Sequence, residues 1–188
     1  QVIDTRTEEL QAQGVRPRVW FGEDWIESVT DLFDENVRYF SALLPLAEEE
    51  QPHEELERGG IPHLGELNLH NGTIWRWNRP IYAVARGKPH LRVENRVLPA
   101  GPTMVDAMAN AAFYYGLLRG VSELDPPIHR QMSFRAANEN FREAAHEGIN
   151  ASQFWPGVGQ VPATELVLRT LLPLAHAGLD AWGVDRRD

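Results

Sequence analysis

At 188 residues, with 43% hydrophobic and 24% charged positions, the chain is long enough for one ordinary globular domain with a sizeable core, and it is neither disordered nor fibrous. Its 18 Lys and Arg face 27 Asp and Glu, a formal net charge of -9, which argues against a sequence-independent grip on nucleic acid or anionic membrane. Cysteine is absent, so disulfides, thiolate nucleophiles and zinc-thiolate sites are excluded together, and a cytoplasmic protein is the simplest expectation.

The chain opens on Gln1-Val2-Ile3-Asp4, without a basic or apolar leader, and reads as a piece of a longer protein. Charges break every apolar stretch within about ten residues, short of the roughly 20 that span a bilayer, so no membrane insertion is expected. A short helix is expected to end near Gly14. From Asp24 to Leu44, Trp25, Val29, Leu32, Phe33, Val37, Phe40 and Leu44 recur at spacings of three and four, the apolar stripe of an amphipathic helix whose other face is solvated. Ala47 to Gly60 is Glu-rich, interrupted by Pro52 and closed by Gly59-Gly60; it reads as a solvent-facing connector.

Between His70 and Ala100 helical spacing gives way to short aromatic and β-branched runs. Strands are expected near Thr73–Arg79, Ile81–Ala85 and Leu91–Leu98, the last two joined across Gly87, as an antiparallel meander over about 70–100. Helices then return. Thr103 and Asp106 resemble a capping box at the head of a nearly all-apolar helix over Met104–Leu118, expected to lie buried against the sheet. Ser133 caps a helix through Ala145, and Pro162 opens another through His176 that Pro173 should bend. The fold class expected is α+β, a small antiparallel sheet packed on several helices in a single domain over residues 1–188.

The residues best suited to chemistry are Leu91-Arg92-Val93-Glu94-Asn95-Arg96-Val97. Alternation along a strand puts Arg92, Glu94 and Arg96 on one face, about 6.5 to 7 Å between neighbours. Glu94 can then neutralise one arginine while the other keeps donors for a phosphate or carboxylate. Such a face is either wetted as an ion-pair ladder or used as a site. On the preceding strand Thr73, Trp75, Trp77 and Arg79 share a face that either walls a cleft beside these charges or packs as core. The histidines at 53, 63, 70, 90, 129, 146 and 176 lack metal-ligand spacing. No phosphate loop and no nucleophile elbow is present.

The runs His70-Asn71-Gly72-Thr73-Ile74-Trp75-Arg76-Trp77 and Leu91-Arg92-Val93-Glu94-Asn95-Arg96-Val97-Leu98-Pro99-Ala100-Gly101-Pro102, with the apolar helix through Tyr114-Tyr115-Gly116-Leu117, resemble the carboxyl-terminal sheet region of glutamate-cysteine ligases of bacteria and plants. That resemblance implies a glutamine-synthetase-like catalytic domain, magnesium (Mg2+) as cofactor, and ATP, glutamate and an amine such as cysteine as substrates. It gives Glu94 to the metal and Arg96, as the catalytic residue, to the transferred phosphoryl group. Arg92, Thr73, Trp75 and Arg79 are left for substrate and nucleotide. Many relatives carry Asp where this chain has Pro99, and the family's other metal-binding carboxylates lie on an amino-terminal strand not found here.

The chain is therefore expected to be the carboxyl-terminal part of a larger ligase, bearing half an active site and inactive alone. Sheet edge or apolar surface exposed by such a truncation would favour pairing of copies into a homo-oligomer. The alternatives are a related ligase using another amine, and a non-catalytic module that binds a ligand or partner on its tryptophan-lined face.

Overall fold

The computed structural model describes residues 6–44, 49–98 and 100–185; Pro99, singled out above, lies outside them. The fold is α+β, with helices and two separate two-stranded antiparallel sheets. Where the sequence suggests one domain, the contacts fall into two compact units. The first holds the residues up to Gly22 together with Ile26–Val97, the second Glu23–Trp25 together with the residues from Leu98 onward. Among the described residues no helix is long and apolar enough to cross a membrane.

The first unit contains α1 (Glu8–Ala12), α2 (Val29–Tyr39), α3 (Pro52–Glu57), α4 (Gly65–Gly72), β1 (Asn78–Ala85) and β2 (Lys88–Asn95). The helix expected over Asp24–Leu44 is shorter at both ends. It starts after Ser28, because the Asp31 carboxylate reaches back to the N–H groups of Glu27 and Ser28, each at 2.9 Å, and closes the first turn. Those two bonds hold the Asp31 carboxyl below its ordinary pKa. Pro52 interrupts nothing: it sits in the first turn of α3, where its missing N–H costs no bond. The core of this unit is Trp20, Phe40 and Ile74, with Trp20 and Phe40 edge to face at 6.2 Å and Tyr39 packed against them.

The expected three-stranded meander is a hairpin of two. Residues 73–77 form no ladder, and the strand expected at Ile81–Ala85 begins at Asn78 and runs through Pro80. Pro80 is not a breaker because its carbonyl accepts from Asn71 Nδ2, at 2.5 Å, on the side away from β2. In an antiparallel pair a residue's N and O point to the same side, so this proline has no ladder donor to lose.

The second unit contains α5 (Met104–Ser122), α6 (Ile128–Gln131), α7 (Phe134–Glu147), β3 (Ser152–Trp155), β4 (Gly159–Pro162), α8 (Ala163–Leu166), a π-helical turn over Val167–Leu171 and α9 (Leu172–Ala181). The Thr103–Asp106 box caps α5 as expected and Ser133 caps α7. Pro173 does perturb the last helix: with no N–H to offer the preceding turn, the chain widens into the π-helical turn before continuing as α9.

Two expectations fail in this unit. Helix α5 is not buried against a sheet; its glycine face meets α9, where a Cβ on Gly116 would run into the Ala175 carbonyl and one on Gly178 into the carbonyl of Gly116. Met104, Val105, Met108, Tyr115 and Leu118 remain exposed. Trp25, expected at the head of the second helix, instead donates its indole N–H to the Met132 carbonyl at 2.8 Å and stacks edge-on to Phe134.

Candidate functional site

The β1–β2 hairpin turns at Arg86-Gly87, both with positive φ (52° and 71°), as the tightest hairpin turn demands. From that turn the register runs without a slip and sets Arg79 opposite Glu94 and Ile81 opposite Arg92. Side chains alternate, so the charged residues of both strands fall on one face.

On that face Glu94 Oε2 accepts from Arg79 Nε at 2.9 Å and from its NH2 group at 2.8 Å, while Arg96 NH1 lies at 3.6 Å from the same oxygen. The expected Arg92-Glu94-Arg96 ladder is thus rearranged. Glu94 is neutralised across the sheet by Arg79, and Arg92 turns to His90, whose Nε2 lies 2.8 Å from its NH1. As guanidinium nitrogens only donate, His90 Nε2 is the accepting atom of this contact. Arg96 follows the end of β2, and its N–H donates to the Trp77 carbonyl at 2.9 Å just beyond the paired strands, which anchors the residue. Among the described residues its guanidinium has no closer partner than Glu94.

Charge in this stretch runs against the rest of the chain. Between Trp75 and Leu98 stand Arg76, Arg79, Arg86, Lys88, Arg92 and Arg96, a third of all basic residues, against Glu94 alone of the 27 acidic ones. Arg76 is spent inside: 3% exposed, it pairs with Glu35 at 2.6 Å and lies 5.0 Å from the Trp20 ring centroid. A buried guanidinium needs such a partner, since an unpaired charge there costs several kcal/mol. The other five basic side chains have one carboxylate among them.

Beneath the hairpin runs a buried polar chain that the sequence reading did not foresee. Asn36 on α2 donates to Asn71 on α4 at 2.8 Å, and Asn71 donates to the Pro80 carbonyl. Asn36, Asn71 and Arg76 are 1%, 4% and 3% exposed. The chain ties the β1 backbone, one residue from Arg79, to two helices. Arg76 belongs to the same buried region, in an alternation of buried Ile74, exposed Trp75 and buried Arg76 that only the structure reveals.

The remaining expected site residues lie elsewhere. Thr73 caps the end of α4; its hydroxyl donates to the His70 carbonyl at 2.8 Å and accepts from Arg18 NH1 at 3.2 Å. Trp75 is about half exposed and hangs its backbone N–H on the Arg18 carbonyl. Neither shares the face that carries Arg79 and Glu94, because residues 73–77 are not part of the sheet.

Magnesium prefers about six oxygen ligands, several of them water, with at least one or two carboxylates. The hairpin offers the second oxygen of Glu94, next to two guanidinium groups, and among the described residues no three His, Asp or Glu group into a metal site. These residues do not fit the ion as a closed site. What the arrangement can do by itself is bind an oxyanion: planar N–H forks, one of them loosely held, at the surface of an otherwise acidic chain. Comparison with models of known protein families, with curated proteins and with solved structures finds no match.

Proposed function

We propose that the β1–β2 hairpin is the phosphoryl-contacting part of an ATP-dependent carboxylate-amine ligase similar to the glutamate-cysteine ligases. The observation that carries this reading is the surplus of guanidinium over carboxylate on the hairpin, with Arg96 held 3.6 Å from Glu94 rather than closed onto it. Phosphoryl transfer is catalysed chiefly by positioning and by charge placed where the transferred group spreads its own, which is what forked N–H donors supply.

In this reading the γ-phosphoryl of ATP passes to the side-chain carboxylate of glutamate, and the amine of cysteine or a related substrate displaces phosphate from the acyl phosphate. Arg96 contacts the phosphoryl oxygens, Arg92 meets a substrate carboxylate, and Arg79 holds Glu94 in place. Were magnesium to accompany the nucleotide, Glu94 would offer it one oxygen and the ion would screen the phosphate charge. The chain then forms the carboxyl-terminal part of a glutamine-synthetase-like domain.

The test is ADP release from ATP, glutamate and a panel of amines, with the chain alone and within its full-length protein. Amine-dependent release by the full-length protein and none by the chain alone is expected. A second reading is an oxyanion-binding module without turnover, which the same surplus of guanidinium on the hairpin would serve. It requires that ATP bind while no amine elicits ADP from the full-length protein.

A further inference from the structure

The outer edge of β2 is an open half of a hydrogen-bond ladder, and the register with two bonds fixes which backbone groups lie on it. Asn71 reaches the Pro80 carbonyl on the side of β1 away from β2, while the Arg96 N–H donates to the Trp77 carbonyl on the side between the strands. With Pro80 opposite Val93 and Ile81 opposite Arg92, inward and outward positions alternate along β2. His90, Arg92 and Glu94 turn their N–H and carbonyl groups to β1; Pro89, Leu91 and Val93 turn theirs outward. Pro89 has no N–H to leave unpaired there, which is why an edge tolerates it. Lys88 to Val93 are exposed, and among the described residues no backbone group pairs with the outward groups of Leu91 and Val93.

This edge also has a sign. Lys88, His90, Arg92 and Glu94 stand on one face of the strand and Pro89, Leu91 and Val93 on the other, with Leu91 and Val93 53% and 45% exposed. Edge strands commonly carry charge that turns other strands away, and here the charge is mostly positive. Glu94 is engaged by Arg79, and Arg92 contacts the His90 ring rather than a carboxylate. Two copies laid edge to edge would add their surplus of positive charge. A strand of opposite sign would cancel it.

We propose that the outer edge of β2 takes an extended acidic segment of a partner protein as a third strand. Its carboxylates face Lys88 and Arg92, and the apolar side chains alternating with them cover Leu91 and Val93. Backbone bonds to Leu91 and Val93 supply the docking, and the match of charge on one face and apolar surface on the other selects the segment. The proposal goes beyond the ligase reading and shares only Arg92 with it, since the outward backbone groups take no part in phosphoryl contact.

The test titrates the whole chain with a short capped peptide alternating valine and glutamate, followed by fluorescence anisotropy of a dye on the peptide and by amide hydrogen exchange at Leu91 and Val93. Saturable binding with slowed exchange at both amides is expected, and the same peptide with lysine for glutamate should bind at least about tenfold more weakly. Val93→Pro removes one outward donor and no bond to β1, so it should weaken the peptide by about tenfold while the urea midpoint stays near wild type. Leu91→Pro is the second variant should Val93→Pro unfold. Equal binding of the two peptides, binding without protection of the two amides, or full affinity in a folded proline variant would overturn the proposal. So would protection of Leu91 and Val93 without peptide in a chain that sediments as a dimer, which would give the edge to a second copy.

Discussion

The two hairpins have opposite chemistry. The β3–β4 hairpin is gripped by a single side chain on α7: Asn140 donates to the Phe154 carbonyl and accepts from its N–H, both at 2.8 Å, while Gln153 returns a bond to the Asn140 carbonyl at 3.2 Å. Its polar groups are neutral and matched in pairs. The β1–β2 hairpin is also fastened by an asparagine, Asn71 on Pro80, but the fastening is along the outer edge of β1 and one face carries unequal charge, Arg79, Arg92 and Arg96 against Glu94. Matched groups stabilise and leave nothing to bind a ligand. An imbalance contributes little to folding and is available for recognition.

The comparison breaks hardest at the buried end. Asn71→Ala removes the partners of both Asn36 and the Pro80 carbonyl, and two buried groups left unsatisfied should cost about 3 kcal/mol or more, read as a fall in the urea midpoint of unfolding. Asn140→Ala should cost less, about 1 to 2 kcal/mol, since Phe154 is only half buried and water can replace part of what is lost. Equal losses in the two variants would show that burial does not distinguish the two fastenings.

Acid should separate regions too. The Glu50 carboxylate accepts from the N–H groups of His63 and Leu64 at 2.8 and 2.9 Å, and these bonds hold its pKa below the ordinary Glu value, as those to Ser28 and Glu27 do for Asp31. Both groups are depressed in the folded state, so their contribution is complete above the unfolded values and is lost as pH falls through the folded ones. Stability should therefore decline on acidification below the usual carboxylate range, and Asp31→Asn with Glu50→Gln should flatten that decline. The smallest effect is expected at the half-buried Arg79–Glu94 pair, whose carboxylate keeps water on one side. Glu94→Gln should change stability by no more than about 1 kcal/mol in the same urea series.

The helix caps at Thr103 and Ser133, the turn at Gly87 and the α+β class were legible in the sequence because each depends on residues adjacent in the chain. Pro80 misled because its meaning depends on which side of the strand faces a neighbour, a fact set by Asn71 nine residues away. The nearly all-apolar composition of α5 signalled burial, but Gly116 and Gly120 select a helix as the partner by letting backbones approach, and that preference lies in the missing side chains rather than in the apolar ones. At the candidate site the alternation of Arg92, Glu94 and Arg96 was visible. That Arg79 would take Glu94 was not, because cross-strand register is not a local property.

On the proposed reading the Arg96 guanidinium, left short of a full pair with Glu94, grips phosphoryl oxygens. The most direct measurement is the affinity of the chain for ATP with magnesium, by titration calorimetry, in wild type and in Arg96→Lys. Lysine keeps the charge and loses the planar fork, so the account predicts binding weakened by about tenfold or more with the urea midpoint unchanged. Wild-type affinity in Arg96→Lys would contradict it.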